Sequence, residues 1–438
     1  MDRTEEKIIR IIEENRDRII AFGDDIYRHA ELGYKEVRTA RKFREFIGPL
    51  TGNYTEGLAV TGAKAYINQE KKDVFSLALL GELDALRIPG HPFADPETGA
   101  AHCCGHNIQL AAVAGAALAL TDSEVREKLG GQLIFMSAPA EEYGELEFKN
   151  SLMEEGTIRY GGGKAELIRI GAFDDVDCAL ASHTGFEGIR IGGGTSNGFV
   201  SKVIRVKGRA AHAAGARADG INALHAASLG LQALSYNQDT FRDEDTVRIH
   251  SIMTKGGDLV NVVPDDVVLE TLCRAKTLAA VRDASEKTDR SFLAGARALG
   301  AGCRIETMPG YLPCLPEQVP EEVEEAVREA CPGLDVTVLP PDSHTPISTD
   351  VGDLQHLLPV ITIRTGGCIG GLHQTDFAIA DPDGAYVLTA KLLALSAYRL
   401  LKDGAAAGRR VKAGYRSVFP DRAAYTACLE ELRGVTEL

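Results

Sequence analysis

The sequence predicts an α/β protein in which a central, mostly parallel sheet is interrupted by an inserted ferredoxin-like domain. Three observations carry this. Continuous apolar runs at residues 75–80, 132–136 and 177–182 have the texture of strands buried on both faces, as parallel strands between helix layers are. The same texture resumes at residues 360–364, after a stretch of different pattern. That stretch reads as strand 203–206, helix 221–234, strands 246–253 and 267–275, helix 278–299 and strand 303–308, which is the βαββαβ order of a ferredoxin-like unit. We expect residues 1–197 and 313–405 to form one domain, 198–312 the insert, and 406–438 a C-terminal extension whose polar sequence suggests no role.

Size and charge narrow the function. A chain of 438 residues exceeds one average core, so two domains or one with an insertion is expected. A net charge of −15 without a basic face argues against nucleic acid or an anionic membrane as partner. No run of about 18 apolar residues could span a bilayer, and the charged amphipathic N-terminus lacks a signal-peptide pattern. Nine cysteines without framework spacing suggest reduced thiols in a cytoplasm.

In chain order, Ile8, Ile11, Ile12, Ile19 and Ile26 mark one long amphipathic helix over residues 2–29. A second helix covers 36–46 and a strand 58–67. The buried strand 75–80 ends in Gly81-Glu82-Leu83-Asp84, and ligands of open α/β sheets gather beyond such carboxyl ends. A Pro- and Gly-rich loop then delivers His102-Cys103-Cys104-Gly105-His106-Asn107, where a thiol and an imidazole flank a flexible glycine. Cys104 and His106 read as ligands of one divalent metal site. Strand 132–136 runs into Glu141-Glu142, two adjacent carboxylates that repel unless a cation lies beside them. Strand 177–182 closes in His183, and the glycine-rich loop after strand 360–364 ends in His373, a fourth strand-end candidate. Helices are expected at 321–330 and 383–401. Within the insert, His212 sits in a loop after the first strand, and Asn261 and Arg274 stand in or beside strands.

Taken together, these residues resemble metallopeptidase family twenty, the di-metal aminoacylase and carboxypeptidase type. More narrowly they are similar to its amidohydrolase branch, with the aminobenzoyl-glutamate hydrolases and the hydrolases of indole-acetyl amino acids. The resemblance rests on His29, Glu31-Leu32-Gly33 and Glu36, Cys104-Gly105-His106-Asn107, Pro139-Ala140-Glu141-Glu142, Gly163-Lys164, Gly171 to Asp177, His183-Thr184, Ala211-His212, Asn261-Val262-Val263-Pro264, Ser348-Thr349-Asp350-Val351-Gly352 and His373. It implies a di-metal exopeptidase-like catalytic domain with a lid and dimerisation insert. It implies that Cys104, His106, Glu142, His183 and His373 hold two divalent ions per subunit, zinc or manganese, with Cys104 bridging. Glu141 would be the general base toward a metal-activated water, His212 would reach into the partner subunit's site of a homodimer, and Asn261 and Arg274 would contact substrate. The implied substrates are N-acyl, aminoacyl or aryl-acyl amino acids, or dipeptides. Ala30, Cys103 and Glu82 depart from the family's commonest residues, and none removes a ligand.

Other readings compete. Gly194-Thr195-Ser196-Asn197-Gly198 matches a nucleophile-elbow string and suggests a serine hydrolase using Ser196, but a strand rather than a helix is expected after it. Gly161-Gly162-Gly163-Lys164 lacks the spacing of a phosphate-binding loop. A non-catalytic, metal-dependent binding protein is a reading from another class, and a thiol redox protein is disfavoured because Cys103 and Cys104 lack a two-residue spacer.

Overall fold

The computed structural model describes all 438 residues. At its centre lies an eight-stranded sheet in the order Tyr54–Leu58, Gly62–Ile67, Gln132–Ala138, Ser76–Glu82, Cys178–Thr184, Val360–Thr365, Ile189–Ile191 and Val336–Val338. The four middle strands are parallel to their neighbours within that group, and antiparallel pairs flank them. Alternate side chains enter opposite layers. Leu77, Leu79, Phe135 and Ile361 pack with residues of helices His106–Leu120 and Thr389–Gly414, while Ala78, Leu80, Ile134 and Met136 pack with residues of Gly163–Arg169 and Arg422–Leu432. Burial on both faces, at roughly 1.5–3 kcal/mol for each large aliphatic side chain, explains why these strands show no polar alternation.

Several elements differ from expectation. Residues 2–29 form two helices, Arg3–Glu14 and Arg16–Tyr27. Asn15 stands at the junction with ψ of 13°, and its side-chain amide donates to the Ile11 carbonyl at 2.9 Å. Asparagine competes for backbone groups in this way, so the helix yields there while Ile8, Ile12, Ile19 and Ile26 remain buried. The strand expected over 58–67 is a hairpin, Tyr54–Leu58 and Gly62–Ile67, turning through Ala59 and Val60 at φ of 47° and 78°. The last long helix breaks at Lys402 to Ala405 before it continues to Gly414.

The four strands of the insert run in the order Arg248–Lys255, Asp266–Ala275, Gly198–Lys207, Gly302–Pro309, all antiparallel. This is the ferredoxin-like order that βαββαβ implies. Helices Ala223–Asn237 and Leu278–Ala298 cover one face, through Ala226, Ala227 and Phe292 against Ile204, Leu269 and Ile305. The opposite face looks toward the central sheet. A fifth strand, Gly434–Glu437, pairs beside Gly302–Pro309. The residues after 405 therefore return to the insert, and on the way helix Arg422–Leu432 places Tyr425, Leu429 and Leu432 in the layer under the central sheet.

Candidate metal centre and active site

The parallel strands converge their polar residues on one edge. Strand Ser76–Glu82 ends at Glu82, with Asp84 two residues on, and strand Cys178–Thr184 carries His183. The segment around Cys104 enters helix His106–Leu120, the loop after Gln132–Ala138 carries Glu141 and Glu142, and the loop after Val360–Thr365 carries His373. Gly105 makes the approach possible. It lies at φ of 87°, and a Cβ there would come within 2.8 Å of the Thr184 Cβ. Ala140 and His373 hold left-handed backbone at φ of 48° and 59°. Each such position costs on the order of 1 kcal/mol and persists where surroundings over-determine it. Here the Ala140 amide donates to Glu36 at 2.8 Å and the His373 amide to the Cys103 carbonyl at 2.9 Å.

Two groups of ligand atoms share one sulfur. Cys104, His106 and His183 form the first, and Cys104, Glu142 and His373 the second, each with its atoms within 4.8 Å of one another. The imidazoles are set for coordination. His106 Nδ1 donates to the Asp84 carbonyl at 2.8 Å, and His183 Nδ1 donates to the Thr184 carbonyl at 3.1 Å. In the neutral ring this puts the lone pair on Nε2 of each histidine, the arrangement that orients metal-bound histidines, and a cation would replace the proton that Glu82, 3.1 Å from His106 Nε2, otherwise favours there. His183 Nε2 lies 3.6 Å from Cys104 Sγ, and His373 Nε2 lies 3.2 Å from Glu142 Oε1. His106 Nε2 and Glu142 Oε1 are buried and lack a hydrogen bond of good geometry. A divalent cation between these groups would satisfy them, so the donor set fits a pair of metal ions. A third grouping, Glu82, His106 and Glu141, is already partly satisfied, because Glu82 accepts from Lys164 and from Gln109 at 2.7 Å.

The electrostatics of the floor demand positive charge. Burial lowers the His106 pKa, but Glu82, Asp84 and Cys104 outweigh it and leave the net direction well up. Burial holds His183 down to about 4, so it is neutral and able to ligate. Burial, reinforced by the charges of Glu82, Glu142 and Asp350, pushes the Glu141 carboxyl well above the usual range. Such a carboxylate holds a proton more readily than a solvated one, as a general base requires. Lys164 pairs with both Glu82 and Asp350, all three buried, and its backbone amide also donates to Asp350 at 3.0 Å. Gly163 lets this helix start against the loop of Glu141, since a Cβ there would overlap the Pro139 carbonyl.

Above the floor opens a cavity of about 760 Å³, with Glu141, Glu142 and His373 below and Arg248, His250 and Arg274 on the insert side. Thus Cys104, His106, Glu141, Glu142, His183 and His373 form one cluster, and Arg274 faces it. His212 and Asn261 do not line the cavity. They are exposed neighbours on the insert, where the Ala213 amide donates to the Asn261 carbonyl at 3.0 Å. His212 Nδ1 accepts from the amides of Ala214 and Gly215 at 3.2 and 3.0 Å. Ser196 is buried with its hydroxyl unpartnered. His344, near it in the fold, is occupied by Thr195 and Thr246, both at 2.9 Å, and strand Gly198–Lys207 follows the serine as expected.

Four participants are not apparent from the sequence. Lys164 stands out there only within a glycine string and a family motif, without its role as counter-ion. Tyr311, whose hydroxyl donates to the Glu141 carbonyl, carries no local signal. Arg248 and His250 alternate along a strand in the way any exposed strand face does.

Comparison with known proteins identifies the family and the fold. Residues 78–398 match the sequence pattern of Peptidase family M20/M25/M40. A mouse Xaa-Arg dipeptidase is 28% identical over 309 residues, covering 68% of this chain and 64% of its own. One of the subunits of p-aminobenzoyl-glutamate hydrolase from Escherichia coli is 29% identical over 281 residues, covering 62% of this chain and 53% of its own. The matched region thus spans about half to two thirds of these relatives. A dinuclear metal binding peptidase of the M20 family from Bacillus subtilis superposes with a TM-score of 0.61 at 22% identity, covering 89% of this chain and 99% of its own.

Proposed function

Since this chain belongs to peptidase family M20/M25/M40, of metal-dependent amidohydrolases and peptidases, we propose that it hydrolyses the amide bond of N-acyl amino acids or dipeptides with Glu141 as general base. The observation that carries this is the thiol of Cys104 shared by two three-residue ligand groups beside a buried, proton-retaining carboxyl. Cys104, His106 and His183 would hold one ion, and Cys104, Glu142 and His373 the other. Bound there, two divalent cations supply an acidified water and Lewis acidity toward the scissile carbonyl. Zinc suits the sulfur and nitrogen donors, and manganese the imidazole and carboxylate set.

The chain's own groups do the rest. Glu141 accepts the proton of the attacking water and returns it to the leaving nitrogen. The Tyr311 hydroxyl steadies the backbone of Glu141. Lys164 balances Glu82 and Asp350, so these two buried carboxylates have a counter-charge within the floor. Arg274, which lines the cavity across from the floor, would hold the substrate carboxylate.

His212 and Asn261 act on a second copy of the chain in this reading, as a homodimer formed through the insert. Both are exposed beside Leu259 and Val260, which are 65% and 102% exposed, an apolar patch that a partner would cover. No helix is long and apolar enough to cross a membrane. All nine cysteines stand unpaired, eight of them buried, which supports a reducing compartment such as the cytoplasm.

A panel of N-acyl amino acids, aryl amides of amino acids and dipeptides, assayed with zinc and with manganese, tests the proposal. Turnover of at least one class by metal-loaded protein is expected. Metal binding without turnover of any would leave a binding protein instead.

A further inference from the structure

The insert wall of the cavity carries more positive charge than one substrate carboxylate needs. Arg248 lies directly opposite Arg274 on the neighbouring strand, and His250 opposite Leu272. By strand alternation, Arg248, His250, Leu272 and Arg274 share one sheet face, and all four line the cavity above Glu141, Glu142 and His373. Phe199, opposite Arg274 on its other side, backs that guanidinium at 5.5 Å.

Like charges placed directly across two strands destabilise a sheet. No carboxylate offsets that. Arg248 Nη1 donates only to the Val247 carbonyl at 2.8 Å, and the groups that raise the Arg274 pKa against its burial are Tyr311 and Cys273, not a carboxylate. The cavity's three acidic residues are committed elsewhere. Glu141 and Glu142 belong to the floor, and Glu145 pairs with Lys35 at 2.8 Å. A guanidinium pair facing an open cavity without a counter-ion is a fork-shaped receptor for a carboxylate.

We infer that Arg248 and His250, beside Arg274, form a subsite for a second carboxylate of the substrate, so that the enzyme prefers diacids to their neutral counterparts. The inference rests on the proposed amidohydrolase reading and specifies its substrates. The second carboxylate can belong to the released amino acid, as in an N-acyl glutamate or aspartate, or to the acyl group, as in an N-succinyl amino acid.

The test compares kcat/KM of the zinc- or manganese-loaded enzyme on two matched pairs, N-acetyl-L-glutamate against N-acetyl-L-glutamine and N-succinyl-L-alanine against N-butyryl-L-alanine. A preference for the diacid of about tenfold to a hundredfold in one pair is expected, and that pair identifies where the carboxylate resides. In Arg248→Met the ratio should fall toward one, and Arg248→Lys should restore part of it. Parity in both pairs, or a ratio that survives Arg248→Met, overturns the subsite. Calorimetric titration of the same proteins with glutarate and with butyrate reads the subsite without turnover. If no amide is cleaved but glutarate binds more tightly through Arg248, the amidohydrolase reading fails and the subsite stands. Equal binding removes the subsite.

Discussion

The cavity floor and the loop around His212 hold two halves of the proposed machinery in opposite physical states. On the floor, Cys104, His106 and Glu141 are buried, and five segments distant in the chain enforce one another's positions. Around His212 the side chains are exposed, and the imidazole's contacts are to its own turn. Buried charges must be matched within the chain that buries them, whereas an exposed histidine can wait for a second chain. In the proposed reading the floor is complete in one subunit, and the insert loop would gain its function by association with a second copy.

The largest effect should come from the floor. Glu141→Gln is expected to retain both metal ions by elemental analysis while turnover falls about 100- to 10,000-fold, the worth of a general base. A metal-replete variant of wild-type rate would remove Glu141 from the mechanism. Lys164→Met leaves Glu82 and Asp350 buried without their cation and should lower unfolding free energy by about 3–5 kcal/mol in denaturant titration. A smaller loss, under about 1 kcal/mol, would mean the floor tolerates uncompensated charge.

The insert loop is tested next. His212→Ala should lose about 100- to 1,000-fold in kcat, as removal of an oxyanion donor does. Mixing it with Glu141→Gln should recover up to roughly a quarter of wild-type activity, because half of randomly formed dimers carry one intact site of two. Heterodimers without recovery would place His212 in its own subunit's site or in none. The smallest effect is in affinity. Cys104→Ala should weaken metal binding by at least about 10- to 100-fold, the cost of losing even a group hydrogen-bonded to a ligand. Unchanged calorimetric affinity would deny the thiol its bridging place.

The same contrast explains what could be read in advance. The floor was legible because two-sided burial writes apolar runs that end abruptly in Glu82, Glu141 and His183, and such endings are rare enough to combine. Asn15 was not, because five isoleucines at helical spacing conceal one residue that prefers its own backbone bond. Strand Gly434–Glu437 was not either. Its exposed four-residue pattern is stabilised by pairing with Gly302–Pro309, a partner more than a hundred residues away that no local window contains. The role of Lys164 depends on Asp350 arriving from beyond the insert, and Arg248 acquires meaning only once the cavity face of its strand is known.

The central claim is that a pair of cations on the shared Cys104 enables amide hydrolysis, and chelation followed by metal titration tests it most directly. Protein stripped of metal should be inactive toward its best N-acyl amino acid, and turnover should return with zinc or manganese and saturate at two equivalents per chain. Turnover that survives stripping, or that saturates without any bound metal, would contradict the account and return attention to Ser196.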